Sequence, residues 1–198
     1  MPIFSFIVPS IPADRKDAFL AAWPTIKADL EAQPGVIDVS AGLVVSEDGA
    51  PVTGFKFLQT LAFKKVEDFE AFTNSAWAKK HTEQYGELGA GDIVAGPFEV
   101  EDFPQGDKLP LTQFSTIVLD DATKSDEARK TWFDLVAAVG KDTWGGRSTG
   151  AGPTVGLALI GWNSLEEADA AYKKLQSDAA FTTYQSLGKT QTLIVQLQ

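Results

Sequence analysis

The chain has no cysteine, a single histidine (His81) and fewer basic residues (17) than acidic ones (27). The absence of cysteine excludes disulfides and thiolate chemistry. One histidine without cysteine also excludes the usual zinc ligand sets, and no carboxylate spacing indicates a calcium loop, so we expect no metal. A net charge of −10 repels nucleic-acid phosphates and anionic membrane surfaces, so neither is expected as a partner.

Long apolar runs are also missing. No run approaches the roughly 18 residues of a membrane span, and the N-terminus has no basic stretch ahead of an apolar core. These two absences favour a soluble cytoplasmic protein without a signal peptide. The 198 residues are 44% apolar and 11% aromatic, which is enough for one large domain or two small packed ones.

The first half predicts the element order β-α-β-β-α-β. Short β-rich runs bounded by turn residues indicate strands, and apolar residues at helical spacing indicate helices. We expect strands at 3–8, 36–45, 54–63 and 92–100, with helices at about 14–32 and 66–81 and a loop at 86–91. Pro24 should kink or split the first helix, because its ring removes a donor and clashes one turn back.

After a polar linker at 103–109, the same order restarts. The predicted strands are 111–119, 154–162 and 190–197. The predicted helices are 125–139 and a longer one from Ser164 to about 187, interrupted near Ser177–Asp178. The glycine-rich piece 140–153 takes the place of a strand and turn. The sequence therefore predicts two domains, 1–102 and 110–198.

Three pieces of the two halves match in order. Residues 4–8 (FSFIV) match 114–118 (FSTIV), Trp23 matches Trp132, and 63–71 match 162–170 without a gap. Extended along the helix, the ungapped match places Tyr172 at Thr73 and Ala180 at His81. Ordered matches of this kind predict an internal duplication.

An aromatic residue closes the third strand of each half, and a hydrophobic-Glu-(Asp/Glu) motif opens the next helix: Phe63-Lys-Lys-Val-Glu-Asp and Trp162-Asn-Ser-Leu-Glu-Glu. With the element order, this pattern resembles the antibiotic-biosynthesis-monooxygenase type of dimeric α/β barrel. The resemblance implies an α+β fold: tandem ferredoxin-like βαββαβ units forming a fused, pseudo-dimeric α/β barrel. Because the chain would supply its own partner sheet, we expect a monomer or a weak homodimer.

His81 lies four residues after Trp77 and four before Tyr85, so a continuing helix places all three along one side. An imidazole beside aromatic rings can transfer protons. The candidate catalytic residues are therefore His81 and Tyr85, and the candidate ligand-binding residues are Phe6, Phe57, Phe69 and Trp77. The expected partner is a small hydrophobic or aromatic molecule held between helix and sheet.

The resemblance implies a cofactor-independent monooxygenase or cyclase. The alternative is a non-catalytic ligand-binding or stress-related barrel protein. Haem-degrading members of the family share the pattern seen at Trp77–His81, but they also use an asparagine on the first strand and a tryptophan earlier on the helix. Both are absent here, so no cofactor is expected. Ordinary core packing of the aromatics and a helix-end histidine without a role also remain open.

Two further motifs carry weaker alternatives. Met1-Pro2-Ile3 resembles the start of tautomerases with a catalytic N-terminal proline, although the extra hairpin of each half fits that fold poorly. Gly145–Gly152 lacks the spacing of phosphate-binding loops and predicts a flexible hairpin in which Arg147 could hold an anion. Val45–Gly49 lacks the leading glycine of the haem peroxidases that share the barrel.

Overall fold

The computed structural model describes residues 1–9, 11–85, 96–103 and 109–197, with the backbone alone for 82–85. Its contacts divide the chain into two compact units: unit 1, mainly Met1–Val44 and Val52–Asp102, and unit 2, mainly Val45–Pro51 and Phe103–Gln196. The strands of each unit pair antiparallel, which confirms the predicted α+β class. Within the described ranges, no helix is long and apolar enough to cross a membrane.

Unit 1 contains a sheet with strand order β2-β4-β1-β5. Its strands are β1 (Ile3–Ile7), β2 (Val36–Glu47), β4 (Phe57–Phe63) and β5 (Phe98–Val100). Its helices are α1 (Lys16–Glu31), preceded by a 3-10 turn at Ala13–Arg15, then α2 (Val66–Thr73) and α3 (Ala76–Tyr85). The predicted loop at 86–91 and the first part of the strand at 92–100 lie outside the described residues.

The core of unit 1 lies between this sheet and its helices. Alternate residues of a strand point to opposite faces, and Ile3, Phe57 and Leu61 share one cluster with the helix residues Trp23 and Ala78. The helix-facing positions of β1 and β4 are therefore the odd-numbered ones. The opposite face carries Phe4, Phe6, Leu58, Thr60 and Phe98, which are also buried.

Unit 2 repeats the same strand order, as β7-β8-β6-β9. Its strands are β6 (Leu111–Leu119), β7 (Trp144–Ser148), β8 (Val155–Trp162) and β9 (Gly188–Leu197). Its helices are α4 (Ser125–Ala138), preceded by a 3-10 turn at Ala122–Lys124, then α5 (Leu165–Gln176) and α6 (Ala179–Gln185). As predicted, Ser164 caps α5, and its hydroxyl accepts a hydrogen bond from the Glu167 backbone at 3.2 Å.

A hairpin from the first half of the sequence belongs to unit 2. The end of β2 pairs with β3 (Ala50–Pro51), and Asp48 at the turn has a positive φ of 49°. The Asp48 backbone donates to the Thr192 carbonyl at 2.8 Å, while its carboxylate accepts from the Thr192 backbone at 2.7 Å. These bonds attach the hairpin to β9.

Three local predictions differ from the structure. The helix predicted at 66–81 is two helices, because the Ser75 hydroxyl accepts from the Ala78 backbone at 3.1 Å and starts a new one. The first helix runs without a break through Pro24, which is exposed. The third strand begins at Phe57 rather than at Gly54, where a φ of +98° is incompatible with extended strand backbone.

The glycine-rich piece at 140–153 contains a regular strand. β7 pairs with β8, and a Cβ on Gly145 would lie 1.9 Å from the Leu157 carbonyl oxygen, so this position has no room for a side chain. The Ser148 hydroxyl donates to the Pro153 carbonyl at 3.2 Å and accepts from the Val155 backbone at 2.9 Å. Close strand pairing accounts for Gly145, and hydrogen bonds close the turn after the strand.

The ungapped match between the halves is wrong beyond the start of the second helix. α2 has 8 residues and α5 has 12, so α5 is longer by 4 residues, or one turn. Counted from the caps Ser75 and Asp178, His81 corresponds to Tyr184 rather than to Ala180.

The match between the first strands of the two halves is also shifted, by two residues. Phe4 pairs with Ala62, whereas Phe114 pairs with Leu159. Because Phe63 and Trp162 close equivalent strands, Ser5 corresponds to Gln113 and Gln59 corresponds to Ala158.

Candidate functional site

The candidate site is built on α3. The Ser75 cap sets the start of this helix, and Ala78 faces the sheet with only 8% of its surface exposed. Trp77 and His81 lie four residues apart, so their side chains meet on one side of the helix. Their ring centroids are 4.6 Å apart, with only 12° between the ring planes. The predicted neighbourhood of these two residues is therefore present as a stacked pair.

His81 is half-buried, and burial lowers the pKa of its imidazole below the ordinary value of 6.5. Removing an imidazolium from water costs more than removing the neutral ring. The imidazole is therefore mostly neutral at neutral pH, and a neutral imidazole has one ring nitrogen able to accept a proton. His81 thus has the protonation state that a general base needs.

An aromatic chain connects this pair to the sheet. Trp77 lies 5.8 Å from Phe72, and Phe72 lies 5.5 Å from Phe63 at the end of β4. Phe69 contacts the same Phe63 edge-on at 5.5 Å. The structure thus brings together three of the predicted residues, Phe69, Trp77 and His81, along the two helices that come after β4.

The remaining predicted residues have different positions. Phe57 is fully buried on the helix-facing side, but its ring contacts are with α1 residues: Phe19 at 5.2 Å and Trp23 at 5.1 Å. Phe6 lies on the opposite face of the sheet, stacked on Phe98 at 5.9 Å, so it does not line the space between sheet and helices. Tyr85 ends α3, and its side chain lies outside the described residues.

Gln59 on β4 was not predicted as a site residue. It is only 3% exposed, and it lies on the helix-facing side between Phe57 and Leu61. The signal was visible as a glutamine inside the run FKFLQTLAF, where a fully buried strand usually has apolar residues on both faces. A buried amide at the centre of a core needs a hydrogen-bond partner or a reason for lacking one.

The corresponding place in unit 2 is filled and hydrogen-bonded. Tyr184, the counterpart of His81, is buried with its ring 5.3 Å from Trp132, and burial raises the pKa of its phenol. Trp162 donates to the Gln113 side-chain oxygen at 2.8 Å, and Gln113 donates to the Ser115 hydroxyl at 2.8 Å. Unit 2 therefore has no counterpart of the imidazole in unit 1.

Comparison with solved structures gives matches over nearly the whole chain. An anthrone oxidase-like protein matches with a TM-score of 0.62 and 14% identity, covering 100% of this chain and 90% of that one. An inferred monooxygenase from Fusobacterium nucleatum matches at 0.59 and 11%, covering 99% and 92%. Chlorite dismutase from Candidatus Nitrospira defluvii matches at 0.57 and 13%, covering 100% and 91%.

The chain shares its fold with these proteins. At such low identities the likeness concerns the fold, and function has to be argued from the site itself. No model of a known protein family matches the sequence, and no curated protein matches it either. Among the described residues, no group of three or more histidine, aspartate or glutamate side chains is placed to hold a metal ion.

Proposed function

We propose that unit 1 binds a small, largely apolar or aromatic molecule between its helices and its sheet, and oxidises it with O2 as a cofactor-independent monooxygenase. In this proposal the chain is a tandem pair of ferredoxin-like units, at 1–102 and 110–198, of the antibiotic-biosynthesis-monooxygenase type. One observation carries the proposal: a half-buried, neutral imidazole stacked on Trp77 at 4.6 Å, at the inner side of an aromatic-lined helix.

His81 has the role of general base. It takes a proton from an acidic C–H next to the carbonyl of an aromatic ketone, and the resulting carbanion is stabilised by delocalisation into the carbonyl and the rings. The carbanion is electron-rich enough to react with O2 directly. One oxygen atom becomes a new carbonyl on that carbon, and the other leaves as water together with the two hydrogens that the carbon has lost. The substrate is oxidised and O2 is reduced, so no further reductant is required.

The surrounding aromatic rings favour this chemistry. Phe69, Phe72 and Trp77 provide apolar surface for a planar molecule, and apolar surroundings keep the imidazole neutral. Positioned general bases typically contribute about 10²–10⁴-fold to a rate. Tyr85 remains a second candidate for the proton transfers after the first step.

The test uses anthrone, the ketone after which one structural neighbour is named. Oxygen uptake and anthraquinone formation are followed with and without the protein, after subtraction of the spontaneous oxidation. We expect catalysed turnover, a loss of about 10²-fold or more in His81→Gln, and no loss in the matched control Tyr184→Phe in unit 2. The kcat/KM of the wild type should fall as the pH decreases through the lowered pKa of His81.

Two results would contradict the proposal in different ways. Turnover that is unchanged in His81→Gln would remove the role of the imidazole. Tight binding of anthrone without catalysed oxygen uptake would instead favour a non-catalytic ligand-binding protein with the same fold.

A further inference from the structure

Gln59 has a buried amide that the packing of unit 1 leaves without a described partner. The residue lies on the central strand β4, opposite Ile7 of β1 and Ala41 of β2. Its side chain points toward the helices, as do those of Phe57 and Leu61 on either side along the strand. With 3% of its surface exposed, it is as buried as the apolar residues around it.

No described group hydrogen-bonds to the Gln59 amide, and among the described residues every fully enclosed side-chain nitrogen or oxygen does have a partner. The amide atoms of Gln59 are therefore not fully enclosed, and they border a space that a small group can enter. Burying an amide without a partner costs more than an ordinary hydrogen bond contributes, so a group that fills this space is favoured.

The duplicated unit shows that the fold itself does not require a glutamine here. Ala158 occupies the corresponding position on β8, and the buried glutamine of unit 2, Gln113, is engaged on both sides by Trp162 and Ser115. Gln59 has no such neighbours: Phe63, at the place of Trp162, offers no N–H group. The small side chain of Ala41, next to Gln59 on β2, also leaves room above the sheet.

We infer that Gln59 is the polar anchor of the ligand site in unit 1, where its amide hydrogen-bonds the carbonyl or phenolic oxygen of a planar aromatic molecule. This inference rests on the proposed function, because it places the ligand between the sheet and the helices that carry Trp77 and His81. An amide can donate to a carbonyl and can also exchange hydrogen bonds with a hydroxyl, so it recognises both. The aromatic side chains Phe57 and Trp23, on the same side of the sheet, fit a flat apolar body.

The inference is tested with two ligands of nearly the same shape. Anthrone carries a ring carbonyl, and 9,10-dihydroanthracene carries a methylene group in its place. Binding of each is measured by equilibrium dialysis under nitrogen, so that no oxidation occurs. Gln59→Leu should weaken anthrone about three- to tenfold, the usual loss for one neutral hydrogen bond, and should change dihydroanthracene by less than about twofold.

Control variants separate recognition from folding. Gln113→Leu removes the fully engaged glutamine of unit 2 and should leave both affinities unchanged. If Gln59→Leu does not fold, Gln59→Ala installs the residue that unit 2 carries and should give the same selective loss. An equal loss for both ligands, an unchanged affinity for anthrone, or no binding of anthrone by the wild type would each overturn the inference.

The outcomes also distinguish this inference from the proposed reaction. Anthrone binding that depends on Gln59, without catalysed oxygen uptake, would support the anchor and contradict the oxidation. Catalysed oxidation that depends on His81, with anthrone affinity unchanged in Gln59→Leu, would support the reaction and contradict the anchor.

Discussion

Replacing Trp162 by Phe should destabilise unit 2 through one hydrogen bond. The indole is 3% exposed, and its N–H donates to the Gln113 side-chain oxygen at 2.8 Å. Phenylalanine, which unit 1 carries at the same place as Phe63, keeps most of the packing and removes the donor. The lost bond and the unsatisfied oxygen, half-buried on Gln113, together cost about 1–2 kcal/mol.

A double-mutant cycle isolates this bond from the change in ring size. Gln113→Leu alone should cost a similar amount, because the Trp162 N–H then lacks an acceptor. In the double variant both polar partners are gone, so its loss should be smaller than the sum of the single losses by about 1 kcal/mol.

The assay is urea unfolding followed by circular dichroism, since removing a tryptophan alters the fluorescence signal itself. The free energy of unfolding is extrapolated to water for the wild type, the two single variants and the double variant. Losses that add to within about 0.5 kcal/mol would show that the two side chains do not interact, and would refute the view that the polar groups of unit 2 serve its own packing.

Three further predictions concern other residues. Burial lowers the pKa of His81 in the folded chain, so the unfolded chain binds more protons; stability present above pH 6.5 should fall as the pH decreases through the folded pKa, and urea titrations of His81→Gln should lack this part of the decrease. Gly145→Ala should lower the melting temperature strongly, by more than the ~1–3 kcal/mol of ordinary overpacking, because its Cβ would lie 1.9 Å from a carbonyl oxygen of β8; an unchanged melting temperature would contradict the strand pairing. Asp178→Ala removes the carboxylate that accepts from the Ala180 backbone at 2.9 Å and should cost about 1 kcal/mol in urea unfolding, whereas Asp178→Asn should cost much less.

The sequence predicted the order of elements because strand and helix periodicities are local signals. The interruption at Ser177–Asp178 was visible, since aspartate and serine favour caps. The equivalent break before Ser75 was not predicted, because the apolar residues on either side of it continue the spacing of a single helix.

The site was predicted in part, for the same physical reason. Trp77 and His81 are four residues apart on one helix, and such neighbours meet wherever the helix forms. Phe6 and Gln59 lie on strands, where a side chain's face depends on the register of the pairing. The sequence alone does not show that Phe6 points away from the helices or that Gln59 points toward them.

The extra turn of α5 affects how duplicated chains are compared. An α-helix has 3.6 residues per turn, so an insertion of four residues rotates the remainder of the helix by only about 40° and keeps the buried stripe on its side. Insertions of that length are therefore tolerated in a packed helix, whereas one or two extra residues would turn apolar side chains toward water. Alignments of repeated helical units should accordingly permit gaps of whole turns, since otherwise a functional residue is compared with a position that never faces the same neighbours.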